Sequence, residues 1–188
     1  MFGYCKQFVP IGPKWKNAKA KTTFGRKSAI SIVASFNKTD WVSGWNHFIQ
    51  GCTIFINPEF EQTLDPDDSV ILSPGTLPIL SVEQIKTRKL GDPYSRCIKR
   101  DSGILQFFTD YTKKHCQVEC LINIVRRKCR CDAPFFQART VAAPIKVCNF
   151  TEHSFCVANI ITAFANIDCD CPAECDAESY SHSNMQYA

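Results

Sequence analysis

The sequence predicts an α+β fold: an antiparallel β-sheet followed by a helical region stapled by disulfides. Three observations carry this. Short apolar runs separated by proline and glycine occupy the first half of the 188 residues. A helical stripe of Val118, Leu121, Ile122 and Val125 follows. Ten of the twelve cysteines crowd between Cys97 and Cys175. Strands in succession with turn-rich links favour antiparallel pairing. Dense, even-numbered cysteines indicate a covalent framework made in an oxidising compartment.

The elements follow in order. Ser28 to Ser35 alternates Ile30 and Ile32 with Ser31 and Val33, which suits a strand with one buried face. Gly51 to Asn57 and Ser69 to Ser73 are further short strands. Asn57-Pro58, Asp65-Pro66 and Pro74-Gly75 supply the turn chemistry between them. Tyr111 to Lys128 carries the helical stripe, with Cys116 and Cys120 on one side. Its end falls near Arg126-Arg127-Lys128, where cations suit the negative pole of the helix dipole. A second helix starts at Thr151, a residue type able to cap free amides. Asp168-Cys169-Asp170-Cys171-Pro172 reads as extended, placing Cys169 and Cys171 on one face.

Composition narrows the function classes. Hydrophobic residues at 45% and charged residues at 21% are those of a folded protein. A net charge of +4 is too mild for nucleic-acid binding, so no nucleic-acid partner is expected. The basic run from Lys14 to Lys27 reads as a solvated loop. The sequons Asn37-Lys38-Thr39 and Asn149-Phe150-Thr151 make Asn37 and Asn149 glycosylation candidates, in keeping with a secretory route. The longest apolar stretches, Ala29 to Ala34 and Val157 to Ile167, are too short to span a bilayer. Met1 to Cys5 lacks the basic start and apolar run of a signal peptide. Disulfides without a route into the secretory pathway conflict, and the simplest expectation is that the sequence is incomplete.

The cysteine spacing has a geometric reading. Four residues along a helix advance about 6 Å, and two along a strand advance about 6.6 Å. Cys116 and Cys120 on a helix can therefore face Cys171 and Cys169 on an antiparallel strand. Nesting then suggests Cys97–Cys175 outside, with Cys129–Cys156 and Cys131–Cys148 inside. Other connectivities stay open, because spacing alone does not choose among them. Bridges of this kind typically stabilise by about 2–4 kcal/mol each, and the expected product is a stiff rod. The competing reading is zinc held by Cys116, Cys120, Cys129, Cys131 and His115. Structural zinc sites favour closely spaced pairs such as Cys-x-x-Cys, and this chain has none.

Enzymatic readings find little support. His47, His115, His153 and His182 form no His-Glu-x-x-His pattern, and there is no Gly-x-Ser-x-Gly elbow. Each histidine reads as a surface or linker residue. No catalytic residue, cofactor or metal site is expected. Asp65, Asp67 and Asp68 read as a turn.

At this point the chain resembles the degenerin/epithelial sodium channel family, with an invertebrate, pickpocket-like flavour. The spacing Cys97…Cys116-x3-Cys120…Cys129-x-Cys131…Cys148…Cys156…Cys169-x-Cys171-x3-Cys175 is similar to that family's thumb domain. Asp92-Pro93-Tyr94-Ser95-Arg96-Cys97 resembles the entry to the thumb, and Lys128 to Phe136 resembles its Cys-x-Cys-x-Pro-hydrophobic exit. Cys169 to Cys175 with Tyr180-Ser181 resembles the return to the palm. Upstream, Gly3-Tyr4-Cys5-Lys6-Gln7-Phe8 resembles a diverged Gly-x-Cys-Tyr-Thr-Phe-Asn motif, and Gly25 to Asn57 resembles palm strands.

The resemblance implies a palm-type antiparallel sheet and a helical thumb. It divides the chain into palm and β-ball strands over 1–96, thumb over 97–175, and the start of a returning palm strand over 176–188. The finger is largely absent, as are both membrane helices and the selectivity filter. The nested pairing above is also the family's thumb pairing. The counterpart of Cys5 pairs in the family with a cysteine beyond this sequence. Cys52 is thus a candidate partner for Cys5 or for something missing. The implied function is the extracellular part of a trimeric, stimulus-gated sodium channel in the plasma membrane. Its implied partners are sodium ions, like or related subunits, and the membrane through missing flanking helices. Tyr94 is the implied gating-linked residue, against the plainer reading of a packed tyrosine at a turn. The runner-up is a secreted cysteine-rich binding module or inhibitor.

Overall fold

The structure is a computed structural model that describes residues 32–35, 52–58, 61, 69–133 and 146–186. The chain divides into two units, Met1–Cys52 with Ile71–Thr76, and Thr53–Val70 with Leu77–Ala188. In the first unit, residues 32–35 form no strand, and Ile32 and Val33 are 70% and 93% exposed. This corrects the 32–35 end of the expected strand over Ser28 to Ser35; Ser28 to Ser31 lie outside the described residues. Alternation of apolar residues makes a strand only when a partner covers one face, and among the described residues none pairs with residues 32–35. At Pro74-Gly75, Thr76 N–H donates to Ser73 O at 3.3 Å and Gly75 has φ 76°. That is the left-handed position a type II turn reserves for glycine.

Strands β1 (Cys52–Phe55) and β2 (Ser69–Leu72) pair with each other, where the apolar runs placed them. In the second unit, β3 (Pro78–Arg88) and β6 (Asp176–Gln186) form an antiparallel ribbon. Its register runs from Pro78 opposite Gln186 to Arg88 opposite Asp176. Between them lie two short strands, β4 (Cys97–Ile98) and β5 (Ala173–Glu174), which pair in parallel.

Helix α1 (Lys113–Cys129) is capped by Thr112, whose hydroxyl accepts the His115 N–H at 3.0 Å. Arg126, Arg127 and Lys128 fill its last turn. It ends at Arg130, which takes a left-handed φ of 55° and donates its N–H to Arg126 O at 3.1 Å. The predicted stripe faces inward: Leu121, Ile122 and Val125 are buried and Val118 is half-buried. The core joins Leu121 and Val125 to Cys131, Ala133, Cys148, Val157 and Ile160, with Ile124, Cys129, Cys156 and Phe164 packed against them.

The second helical stretch begins one residue earlier than expected. Helix α2 (Phe150–Glu152) continues through a π-helical turn (His153–Val157), α3 (Ala158–Ala163) and a 3-10 turn (Phe164–Asn166). Asn149, not Thr151, is the cap. Its Oδ1 accepts the Glu152 N–H at 2.8 Å, and its own N–H donates to Glu152 Oε2 at 3.0 Å. The reciprocal pair satisfies two free amides together, which Thr151 at its position cannot do.

The segment around Cys169 and Cys171 also departs from expectation. It is not a strand, and Asp170 between the two cysteines has φ 40°. The Asp168 carboxylate accepts the Asp170 N–H at 3.0 Å, a local bond that favours a turn over an extended run.

Candidate functional site

The region where β3 and β6 give way to α1 holds the residues singled out from the sequence. Tyr94 sits on a turn in which its N–H donates to Gly91 O at 2.9 Å, and the Ser95 N–H reaches the same oxygen at 3.3 Å. The Ser95 hydroxyl donates to Leu90 O. The turn is therefore pinned by its own backbone, yet Tyr94 is 79% exposed. An ordinary packed tyrosine would be covered.

Both ends of this turn are tied down. Cys97 is bridged to Cys175, and Lys89 N–H donates to Cys175 O at 2.7 Å. Cys175 N–H in turn donates to Ile98 O at 2.9 Å. Arg88 pairs with Asp176 at 3.0 Å, and Arg96 makes two bonds of 3.1 Å to the Asp170 carboxylate. Both ion pairs are exposed, so each contributes under about 1 kcal/mol. A bridge of about 2–4 kcal/mol outweighs them, so the covalent link dominates and the charges orient.

Four more disulfides climb away from this end. They are Cys116–Cys171, Cys120–Cys169, Cys129–Cys156 and Cys131–Cys148, spanning 55, 49, 27 and 17 residues. With Cys97–Cys175, these are the five pairs of the nested ladder. Their Cα atoms lie between 4.9 and 6.1 Å apart, an ordinary span for a bridge. The four cysteines of the zinc alternative are all in disulfides. Cys52 is a free thiol, so the candidate Cys5–Cys52 bridge is not formed. Burial raises its pKa, with a backbone hydrogen bond pulling the other way. Cys5, Asn37 and the Asp65, Asp67, Asp68 group lie outside the described residues. Asn149 is exposed at its cap.

Polar contacts brace the start of α1. Tyr111 N–H donates to Arg100 O at 2.7 Å, and its hydroxyl donates to Pro172 O at 2.7 Å. Burial pushes the Tyr111 phenol up, and the Glu174 and Asp170 charges add to this against Arg96. Lys113 N–H donates to Glu174 Oε2 at 3.1 Å. Farther along, Arg126 forks onto the Asp132 carboxylate and lies 4.6 Å from the Phe107 ring centroid.

Two buried residues on α1 escaped the sequence reading. Glu119 accepts the N–H groups of Gln106 and Phe107 at 2.8 and 2.9 Å, so it organises the strap before the helix. His115, read as a surface or linker residue, is fully buried. Its ring stacks on Phe108 at 4.2 Å, with Nε2 3.0 Å from Glu61 Oε1 and Nδ1 2.8 Å from Asp110 O. The one sequence signal for either was position. Both fall on the inward side of the stripe, four residues apart.

The chain matches the amiloride-sensitive sodium channel family over residues 1–188. It belongs to that family. Two relatives are the Sodium channel protein Nach of Drosophila virilis and that of Drosophila melanogaster. The first is 27% identical over 95 residues, 49% of this chain and 24% of that protein. The second is 26% identical over 87 residues, 45% of this chain and 16% of that protein. The matched stretches thus span at most a quarter of these relatives. In this member of the amiloride-sensitive sodium channel family, the two strands of an antiparallel ribbon bracket a helical region stapled by five disulfides, which is consistent with a palm and thumb arrangement. No helix among the described residues is long and apolar enough to cross a membrane.

Proposed function

We propose that the chain is an extracellular part of a trimeric sodium channel in the plasma membrane, and that its thumb is a rigid lever coupling an external stimulus to the pore. In this reading residues 1–96 contribute palm and β-ball strands, 97–175 the thumb, and 176–188 the start of the returning palm strand. Sodium ions pass through the complete channel, built from like or related subunits with membrane helices beyond this segment. Asn37 and Asn149 carry glycans.

Tyr94 carries the mechanism. An exposed aromatic ring on a turn held by a disulfide and by its own backbone is preorganised to press on something outside this segment. Its partner is the extracellular end of the first membrane helix. A lever transmits motion only if it does not bend, and the five bridges supply that stiffness. The test is recording from the full-length channel with Tyr94→Ala and Tyr94→Phe at matched surface expression. Alanine should reduce stimulus-evoked current about tenfold, the loss of about 1.4 kcal/mol of coupling, while phenylalanine stays near native. Unchanged gating in Tyr94→Ala removes the lever reading.

A further inference from the structure

His115 lies at the third position of α1, and Glu61 belongs to the segment between β1 and β2. Each nitrogen of the ring faces an oxygen. Nδ1 lies 2.8 Å from the Asp110 backbone carbonyl, which only accepts, so Nδ1 carries a proton. Nε2 lies 3.0 Å from a Glu61 carboxylate oxygen. The other Glu61 oxygen receives the Thr112 hydroxyl at 3.3 Å, and that hydroxyl accepts the His115 N–H. Between Nε2 and Glu61 there is room for one proton, whether the pair is imidazolium and carboxylate or imidazole and carboxylic acid. Without that proton a nitrogen lone pair faces a carboxylate in a site where His115 has 0% exposure. Water cannot relieve the clash, and the stacked Phe108 ring restrains the imidazole from turning away.

We propose that Glu61 and His115 form a proton-locked latch: one buried proton holds Glu61 against the first turn of α1, and its loss to solvent at alkaline pH releases Glu61. The inference rests on this geometry and stands whether or not the lever reading holds.

The charged groups around the ring favour retention. Burial alone lowers the imidazole pKa and is the largest single influence. The Glu61 and Asp110 hydrogen bonds and the Glu61 and Asp110 charges together outweigh it, leaving the pKa above the usual histidine value. Glu119, one turn along α1, is engaged by the Gln106 and Phe107 amides, and Glu174 from β5 receives the Lys113 N–H. Lys113 and Lys114 precede His115 on the same turn. A raised folded pKa means the latch is fully closed below the unfolded value of about 6.5 and opens as pH rises through the higher folded one.

The test uses the full chain with its disulfides intact. Carbon-edited NMR of the histidine ring protons follows the titration, and hydrogen exchange by mass spectrometry, corrected for intrinsic rates, follows the peptide containing Glu61. Protection of that peptide should fall at least about tenfold as His115 titrates above pH 6.5. In His115→Gln the protection should not change over the same range. In Glu61→Gln, which folds with a neutral partner should His115→Gln fail, the His115 titration should move down and the pH dependence of the peptide should vanish. Titration of His115 at or below about 6.5, or constant protection while it titrates, overturns the latch.

Discussion

Removing single bridges from the ladder should cost amounts set by the neighbouring bridges, not by the length of chain each one spans. Taken alone, Cys97–Cys175 closes 78 residues, which loop-closure entropy values at about 4.5 kcal/mol. With Cys116–Cys171 intact, the loop freed by its loss is the difference between 78 and 55, or 23 residues. That lowers the cost to about 3.4 kcal/mol. Cys116–Cys171 itself has Cys120–Cys169 beside it, and 55 less 49 leaves 6 residues. Its loss should cost only about 2.2 kcal/mol, although it spans 55 residues. All four cysteines are half-buried, so the packing lost is similar in the two cases. The assay is guanidinium unfolding of the Cys97→Ala/Cys175→Ala and Cys116→Ala/Cys171→Ala chains. With a slope of about 4 kcal/mol per molar, the midpoints should drop by about 0.85 M and 0.55 M. Equal shifts, or the larger shift for Cys116–Cys171, would refute the nested-loop reasoning.

Three further outcomes are expected. Glu119→Ala strands the Gln106 and Phe107 amides and should lower unfolding free energy by about 3 kcal/mol, whereas Glu119→Gln keeps an acceptor and should cost about 1 kcal/mol in the same denaturant assay. Asn149→Asp keeps the cap but removes the glycan acceptor, so secreted protein should run faster on a gel with stability within about 0.5 kcal/mol of native, while Asn149→Ala also loses about 1 kcal/mol. The Lys146 ammonium, then the Asn149 N–H, hold the Glu152 carboxyl below the usual carboxylate range against a smaller effect of burial. A depressed folded pKa makes this support present above the unfolded value of about 4.3 and lost as pH falls through the folded one. Amide exchange at Glu152 should therefore quicken in acid beyond its intrinsic trend, and Glu152→Gln should remove that dependence.

Local periodicity made much of the fold legible, and its failures share a cause. The stripe of Val118, Leu121, Ile122 and Val125 and the strands expected within Gly51 to Asn57 and Ser69 to Ser73 depend on neighbours within a few residues, which the sequence displays directly. Ser28 to Ser35 had the same alternation, but alternation says nothing about whether a covering face exists, and Ile32 and Val33 are bare. Strand β3 was not expected, because its register is set by β6, roughly half the chain away, and Glu83, Gln84 and Lys86 interrupt any apolar alternation. His115 was misread for a related reason. Its partner Glu61 comes from another segment, and Thr112, which shares that carboxylate, is 51 residues from it.

The rungs survive a wrong premise, and the reason is informative. Matching helix and strand rises placed Cys116 opposite Cys171 and Cys120 opposite Cys169, yet Asp170 breaks the strand with a φ of 40°. A bridge tolerates Cα separations over about 2 Å, wider than the mismatch between the two rises, so strict extension was never required. What the segment needs is both sulfurs turned toward α1. Asp170 meets that need through its bond to Asp168 and its fork with Arg96, the residue next to Cys97. The same aspartate that spoils the strand thus ties the rungs to the Tyr94 turn. Asp170→Ala should loosen that turn, raising amide exchange at Tyr94 and Ser95 while all five disulfides still form. Unchanged exchange there would mean that Cys97–Cys175 alone fixes the turn.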